Sequence, residues 1–556
     1  MALKKNTEVN YFSLLCWSTF LITVILTPWA NSDSLIIPKL IVLFCIALFF
    51  LPFTLTLWRN ISKNKVGKIL IALSMLIIIQ LIAVIFTSGA PFEQQFFGRT
   101  GRGLGFATEF SLIVILLAAT LFIRAEKVAI LQISLVLACF VTSTYSVLQR
   151  FGFDIFDWTT RTNGIIGTLG NPNFQSSFAA MSILPAVAYF WSLKMGKILS
   201  VLAITPLVGL IYISQSTQGY ITALTGISVF SLIFLWYRKK VVFYPVLILF
   251  VVSGIIAISG MLNKGPLSTY LYKISVQSRG DFFRTSARIA NENPLFGIGL
   301  DSLGDNYLKY IDAKTASGIG EFADNSHNLF LHYASTGGYT LAILQLAIVV
   351  LVLYCFYSVQ KESGSFNKNT ASLFCAWVCY QQQTLISPAN ISMLAWNAII
   401  SGAIIGLSFQ SNQKNGESVK IDFKKLSFVR PFSYFALILG IILTYPYYKV
   451  DNMQVRANQT GDANLAMQSA LSYPKASVRF SRIGEALLKS NLLPQSLEIA
   501  RAAVKFNPNA PAAWGLILVN NSAPIEERER AKNEIFRLDP FNKELRGFII
   551  KDSTTP

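Results

Sequence analysis

DNSHNLFLHYASTGG, residues 324–338, runs directly into YTLAILQLAIVVLVLYCFYSV, residues 339–359. The first part is polar and holds the chain's only two histidines, His327 and His332. The second carries no charge and has the length, roughly 20 residues, that an α-helix needs to cross a hydrocarbon core. A polar, histidine-bearing segment that ends at the mouth of an apolar helix predicts chemistry held at a membrane surface.

Blocks of the same kind recur on both sides. Apolar stretches at 11–30, 35–58, 69–87, 107–123, 128–147, 174–193, 198–214, 219–237, 241–260, 339–359, 370–387, 391–409 and 431–448 predict an all-α polytopic membrane protein of about thirteen spans. The first block follows Lys4 and Lys5 like a signal peptide, but its length and the second block close behind it favour a retained span.

The chain has 556 residues and a net charge of +19. With the N-terminus inside, twenty basic residues against five acidic ones, +15 of that charge, fall in segments on one side, among them Arg59, Lys63, Lys65, Lys68, Arg238, Lys239, Lys240, Lys424 and Lys425. This is the positive-inside pattern, so the charge orients the protein and no nucleic-acid partner is expected. The six cysteines all fall in spans and imply no disulfide framework. Cys375 and Cys379, one turn apart, read as small packing residues, and Lys39 as a lysine that snorkels or faces a cavity.

The intervening segments expected outside carry the polar motifs. Gly98-Arg99-Thr100-Gly101-Arg102-Gly103-Leu104-Gly105 joins backbone freedom to two guanidiniums, an anion-binding combination. A second loop carries Arg161 and the turn Gly170-Asn171-Pro172-Asn173. The largest, 261–337, reads as a folded subdomain with a helix over 278–291, closed by Pro294, and then a glycine-punctuated run to Gly304. Arg284 and Arg288 share a face of that helix and have Glu292 within pairing distance, whereas Arg279 starts it at another angle. Arg279, with Arg99, Arg102, Arg161, Arg284 and Arg288, forms a set able to hold a phosphorylated group through bidentate contacts; the alternative is a solvated or headgroup-facing arginine.

His327, beside Asp324, Asn325 and Asn328, sits where an imidazole would take a proton from a hydroxyl; the alternative is a helix cap. His332 lies roughly 140° further round a helix, so the pair makes a poor metal site, no third ligand is spaced for one, and His332 reads as structural.

Four domains follow: 1–260 and 338–448 as transmembrane helices, 261–337 as the loop subdomain, and 449–556 as an exported helical tail. In the tail Pro474, Pro508 and Pro540 close similar phrases 34 and 32 residues apart, the tetratricopeptide period, with Ala500, Ala502, Ala503 and Ala512 as small packing residues. Two or three degenerate helix pairs are expected, offering a surface to a protein partner or a large substrate.

Three phrases in fixed order, Arg279-Gly280-Asp281-Phe282-Phe283-Arg284, Asn293-Pro294-Leu295-Phe296-Gly297-Ile298-Gly299-Leu300-Asp301-Ser302 and Ser326-His327-Asn328-Leu329-Phe330-Leu331 with Gly337, resemble the O-antigen ligase and polymerase (Wzy/WaaL-like) superfamily of bacterial membrane glycosyltransferases. Gly170-Asn171-Pro172-Asn173 is a fourth match, and the resemblance covers about residues 11–410. It implies a GT-C-like fold in the cytoplasmic membrane, with the tail periplasmic or extracellular, and a polyprenyl-diphosphate-linked glycan donor, with no nucleotide sugar, cofactor or metal. By position, His327 and Arg279 match the family's essential loop histidine and diphosphate-contacting arginine, with Asn328, Gly337, Asn171 and Asn173 as loop support. Gln218 and Ser335 stand where many members have arginine and glutamate. The acceptor stays open between a glycan, a lipid and a protein hydroxyl. Outside that class, the rivals are a polysaccharide or lipid transporter and an inactive scaffold.

Overall fold

The computed structural model describes residues 10–156, 158, 165–317, 321–411, 423–546 and 548. Arg161 lies outside the described residues, as do Lys4, Lys5 and residues 412–422 of the basic segment 410–430. Among the described residues there are helices and no strand.

In chain order the helices are α1 (Tyr11–Val24), α2 (Ile36–Ser62), α3 (Lys65–Thr87), α4 (Phe92–Phe97), α5 (Phe106–Phe122), α6 (Val128–Arg150), α7 (Pro172–Phe190), α8 (Gly196–Ile213), α9 (Thr217–Arg238) and α10 (Lys240–Met261). The loop subdomain holds α11 (Ser268–Leu271), α12 (Ile274–Glu292), α13 (Leu303–Tyr310) and α14 (Ala313–Ser317). Then come α15 (Leu329–Ser363), α16 (Lys368–Thr384), α17 (Ile391–Ser411) and α18 (Phe423–Thr460). The tail is α19 (Ala463–Leu471), α20 (Ser477–Lys489), α21 (Leu493–Phe506), α22 (Pro511–Val519), α23 (Ile525–Leu538) and α24 (Lys543–Arg546).

Every expected span coincides with a helix. Nine of these, α2, α3, α6, α8, α9, α10, α15, α17 and α18, are long and apolar enough to cross a membrane, and α1 and α5 are apolar but shorter. The protein is therefore an all-α polytopic membrane protein. The other two, α7 and α16, carry more polar residues because they lie inside the bundle. Gln175, Ser176 and Ser177 of α7 and Gln383 and Thr384 of α16 are buried against neighbouring helices. By contrast α10 is wholly unburied over its apolar stretch, as a helix facing lipid hydrocarbon requires.

Several boundaries differ from expectation. The first helix ends at Val24, since residues 27–33 fold into a turn that Asp451 of α18 holds through the Asn31 side chain, the Ser32 amide and the Ser32 hydroxyl. The last span does not stop at 448: α18 runs on to Thr460 and carries the chain into the tail. Lys39 neither snorkels nor faces a cavity. It is 1% exposed, and its ammonium donates to the Thr23 and Thr168 carbonyls and to Ser392 Oγ, tying α1, the 165–171 loop and α17 together. The cysteines are free and buried.

The 25–35 turn, the 88–105 loop and the loop subdomain meet one another, and the tail is packed onto them. The Asp305 carboxylate of α13 accepts from Arg99 Nη1 (2.6 Å), Gln94 Nε2 (2.7 Å) and Asn507 Nδ2 of the tail (2.9 Å). Ser477, at the start of α20, donates to Gln94 Oε1. The tail helices stack successively against one another, and the tail reaches the loop subdomain again where Phe541 packs on its apolar core. A buried carboxylate satisfied by three donors from three segments makes this an ordered junction.

Candidate functional site

A glycine sets the geometry around the histidines. Gly338 has φ +81°, which breaks α15 into a short first section and a long apolar one. The kink frees carbonyls that would otherwise bond within the helix. The Ser335 and Thr336 carbonyls accept from the Ile298 and Gly299 amides, Pro294 O accepts from Tyr339 N–H, and Gln80 Nε2 donates to both Leu295 O and Gly337 O. The 294–299 run is thereby strapped across the kink. A Cβ on Gly338 would lie 2.2 Å from the Leu295 carbonyl oxygen, whereas one on Gly89, also at positive φ, meets nothing within 4 Å. Gly338→Ala is expected to cost about 3 kcal/mol, from backbone strain plus displacement of the strap, and Gly89→Ala about 1 kcal/mol. Thermal unfolding of the two variants in detergent checks the difference.

The next run, 300–305, fixes the glycine-rich loop. Asp301, at φ +54°, accepts the Arg99 and Leu104 amides through Oδ2 at 2.7 and 3.0 Å. Its Oδ1 has no hydrogen-bond partner among the described residues and lies 3.8 Å from His332 Nε2. Burial lifts the Asp301 pKa to about 6 against those two hydrogen bonds. His332 is buried and packed inside this junction.

His327 is held differently. It sits at φ +54°, where histidine is uncommon and a substitution-tolerant loop would not hold it. Asn325 Oδ1 accepts the His327 amide at 3.0 Å, a turn closed by a side chain. The next residue, Asn328, caps α15 by accepting Leu331 N–H at 3.0 Å and donates Nδ2 to Leu385 O at 3.1 Å. The imidazole is thus fixed between an Asx turn and a helix cap.

One face of α12 supplies its neighbours. Arg279, Phe282 and Ser286 recur at helical spacing; the Phe282 ring lies 5.1 Å from the imidazole, and Ser286 and Ser326 share a 2.8 Å hydrogen bond. Arg279 is half-buried, its Nε has no hydrogen-bond partner among the described residues, and burial lowers its pKa. His327 Nδ1 is likewise buried and unpartnered. Burial, then the positive charges of Arg102 and Arg279, lower the His327 pKa to about 4 against the pull of Asp324. At neutral pH the imidazole is therefore uncharged, with a free nitrogen beside a cation that has spare donors.

The other described arginines of the set are engaged. Arg99 pairs with Asp305, and Arg102 grips Asp324 through Nε and Nη2, the latter at 2.7 Å. Burial raises the Asp324 carboxyl, but Arg102 outweighs it and holds its pKa below the usual range. Arg284 and Arg288 do not pair with Glu292. Arg284 bonds Asp281 a turn back, and Arg288 reaches the Tyr310 and Ile311 carbonyls with Asp312 3.8 Å away, because the folded 310–312 segment offers acceptors that helical spacing alone does not reveal.

Asn171 caps α7 by accepting Asn173 N–H at 2.8 Å, and Asn173 Oδ1 accepts from Ser216 Oγ at 2.6 Å. Gln218 is buried and accepts from Ser387 Oγ, so it fastens the 383–387 turn from which Asn328 also hangs. Ser335 is buried and bonds the His332 carbonyl. Sequence reasoning passed over Asp301 and Asp305, which organise the arginine loop, and Glu109, a buried acid in the first turn of α5 that accepts from Tyr333 Oη at 3.1 Å. A lone acid at the head of an apolar helix was the visible signal for the last. No group of three or more metal-ligating side chains occurs among the described residues.

The O-antigen ligase family model matches residues 198–346, from α8 to the middle of α15, and so includes Arg279, the 294–302 run, His327 and Gly337. No curated protein matches the chain.

Proposed function

We propose, from the premise that residues 198–346 are an O-antigen ligase region of the Wzy superfamily, that this protein transfers a glycan from a polyprenyl diphosphate to an acceptor hydroxyl at the outer face of the cytoplasmic membrane. The observation that carries the reading is that this region holds His327, whose buried Nδ1 has no hydrogen-bond partner among the described residues, against Phe282, and one turn earlier on the same helix Arg279, whose buried Nε has none among them either. His327 takes or orients the proton of the acceptor hydroxyl as its oxygen attacks the anomeric carbon. The bond from that carbon to the phosphate oxygen breaks, and Arg279 stabilises the charge that develops on the departing diphosphate. Arg102 and Asp324 orient the loop and set the local field, while Arg99 holds the loop to Asp305.

A glycan, lipid or protein acceptor fits this chemistry equally. A transporter reading places polar groups along a path through the bundle; Lys39 and Glu109 are instead tied into local hydrogen bonds near helix starts. The discriminating experiment incubates purified protein with polyprenyl-diphosphate-linked glycan and each acceptor class. Release of polyprenyl diphosphate with gain of glycan on one acceptor supports the reading, and its absence with all of them overturns it.

The pH profile follows from the site's charges. A base acts when unprotonated, so kcat/KM, which reports the free enzyme, is expected to stay flat down to about pH 5 and fall as pH drops through about 4. A bound diphosphate offsets Arg102 and Arg279 and raises the imidazole's proton affinity, so the acid limb of kcat lies at higher pH than that of kcat/KM. Identical limbs, or a fall in rate as pH rises from 5 to 7, contradict the assignment.

A further inference from the structure

A cleft of about 760 Å³ separates the first tail helices from the bundle. This lies within the range of roughly 300–1,000 Å³ that ligand sites occupy. One wall is the 28–34 turn, another the final turns of α18, and the third is α19 and α20. The walls are set, since Asp451 fixes Asn31 and Ser32 and the Asn452 amide donates to Ala30 O at 2.8 Å.

The groups facing this space are unspent. The side chains of Gln454, Asn458, Gln459, Arg482 and Ser490 line it, and none makes a side-chain hydrogen bond among the described residues; Trp158 adds the face of an indole whose N–H is already donated to Tyr145 Oη. Amides offer a donor and an acceptor on one planar group, which suits adjacent hydroxyls, and an indole offers an apolar face. A single guanidinium, Arg482, with the Asp462 carboxylate and otherwise neutral amides does not suit a polyanion. The cleft is also coupled to the site: Asp33, between two lining serines, accepts the Gly101 amide at 2.7 Å, and the next residue, Arg102, grips Asp324 three residues before His327.

We propose that this cleft binds a carbohydrate chain, as a saccharide site that holds sugar units remote from the bond being formed. Its identification as part of a transfer reaction rests on the function proposed above; its capacity to bind saccharide does not.

The test uses full-length protein in detergent and, as probe, the oligosaccharide released by mild acid from the lipid-linked glycan of the source cells, labelled at its reducing end. Wild type and His327→Ala are expected to bind it alike. Gln454→Ala and the double variant Asn458→Ala with Arg482→Ala are expected to bind about tenfold more weakly or worse. Asn458 and Arg482 are exposed, so the double variant keeps its thermal midpoint. No binding by wild type, or undiminished binding by the cleft variants, overturns the proposal. So does binding of an unstructured peptide in place of the probe.

Transfer assays then assign the chain. A rise in KM in the cleft variants for a long-chain donor, but not for a single-sugar donor, places the donor glycan there. A rise only for a polymeric acceptor places the acceptor. Unchanged KM in both arms overturns a role in the reaction. Probe binding with no release of polyprenyl diphosphate leaves the saccharide site standing and removes the transferase reading.

Discussion

Replacing His327 with alanine is expected to lower polyprenyl diphosphate release by about a hundred- to ten-thousandfold, the span that a positioned proton acceptor supplies. The loss falls on kcat, because the imidazole meets the acceptor hydroxyl as its proton departs and contributes little to holding the donor. The fold should survive the change. The side chain makes no hydrogen bond among the described residues; its backbone amide, bonded to Asn325, and the Asn328 cap carry the local structure. Removing a side chain from a position at φ +54° leaves alanine with some strain, of about 1 kcal/mol. His327→Asn, which tolerates that backbone better, is the matched control for strain. If both variants transfer glycan at the normal rate, the imidazole has no chemical part. If His327→Ala loses both its thermal midpoint and its activity while His327→Asn keeps both, the role is structural. His332→Ala separates the two histidines from the other side. It empties a buried position beside Asp301, so its effect is expected first in stability.

How much of this could be read from the sequence depended on range. Apolar blocks of bilayer length revealed the spans because in hydrocarbon each helix must satisfy its own backbone, and that constraint is local. The Asn-Pro-Asn turn before α7 was visible for the same reason, whereas the capping roles of Asn171 and Asn328 were not. The partners of the arginines were not. Arg99 and Asp305 are separated by 206 positions and Arg102 and Asp324 by 222, and nothing in local spacing joins them. Helical periodicity even pointed to the wrong acid for Arg284 and Arg288. The kink at Gly338 was half visible, as a Gly-Gly pair at the edge of an apolar run. Its use as an anchor for the 294–299 strap was not, because the freed carbonyls are claimed by a segment about 40 residues earlier. The tail's period announced helices but said nothing of where they rest. That is decided by Asp305, a carboxylate in another domain.

Replacing Arg279 with alanine is expected to reduce kcat and kcat/KM together by about a hundred- to a thousandfold, the effect of deleting one preorganised donor to a developing charge. The argument is comparative. Five arginines near the site are described, and four have acceptors in the protein: Arg99 on Asp305, Arg102 on Asp324, Arg284 on Asp281 and Arg288 on the 310–312 segment. A guanidinium already shared with a carboxylate gives up that pair to bind phosphate, and the exchange returns little. Arg279 surrenders no partner among the described residues when an anion arrives, while its half-buried position means fewer waters compete. Arg279→Lys keeps the charge but loses the planar fork and is expected to recover about a tenth of the rate. Arg284→Ala and Arg288→Ala are expected to stay within about threefold of wild type, since their side chains are largely solvated and paired elsewhere. Arg99→Ala fails in another way, leaving Asp305 buried with a missing countercharge, a loss of about 3 kcal/mol of stability. A thermal midpoint alongside the rate tells the two apart. If Arg279→Ala retains full kcat while Arg284→Ala or Arg288→Ala does not, the diphosphate lies along the exposed face of α12, and His327 is on the wrong side of the helix to serve it.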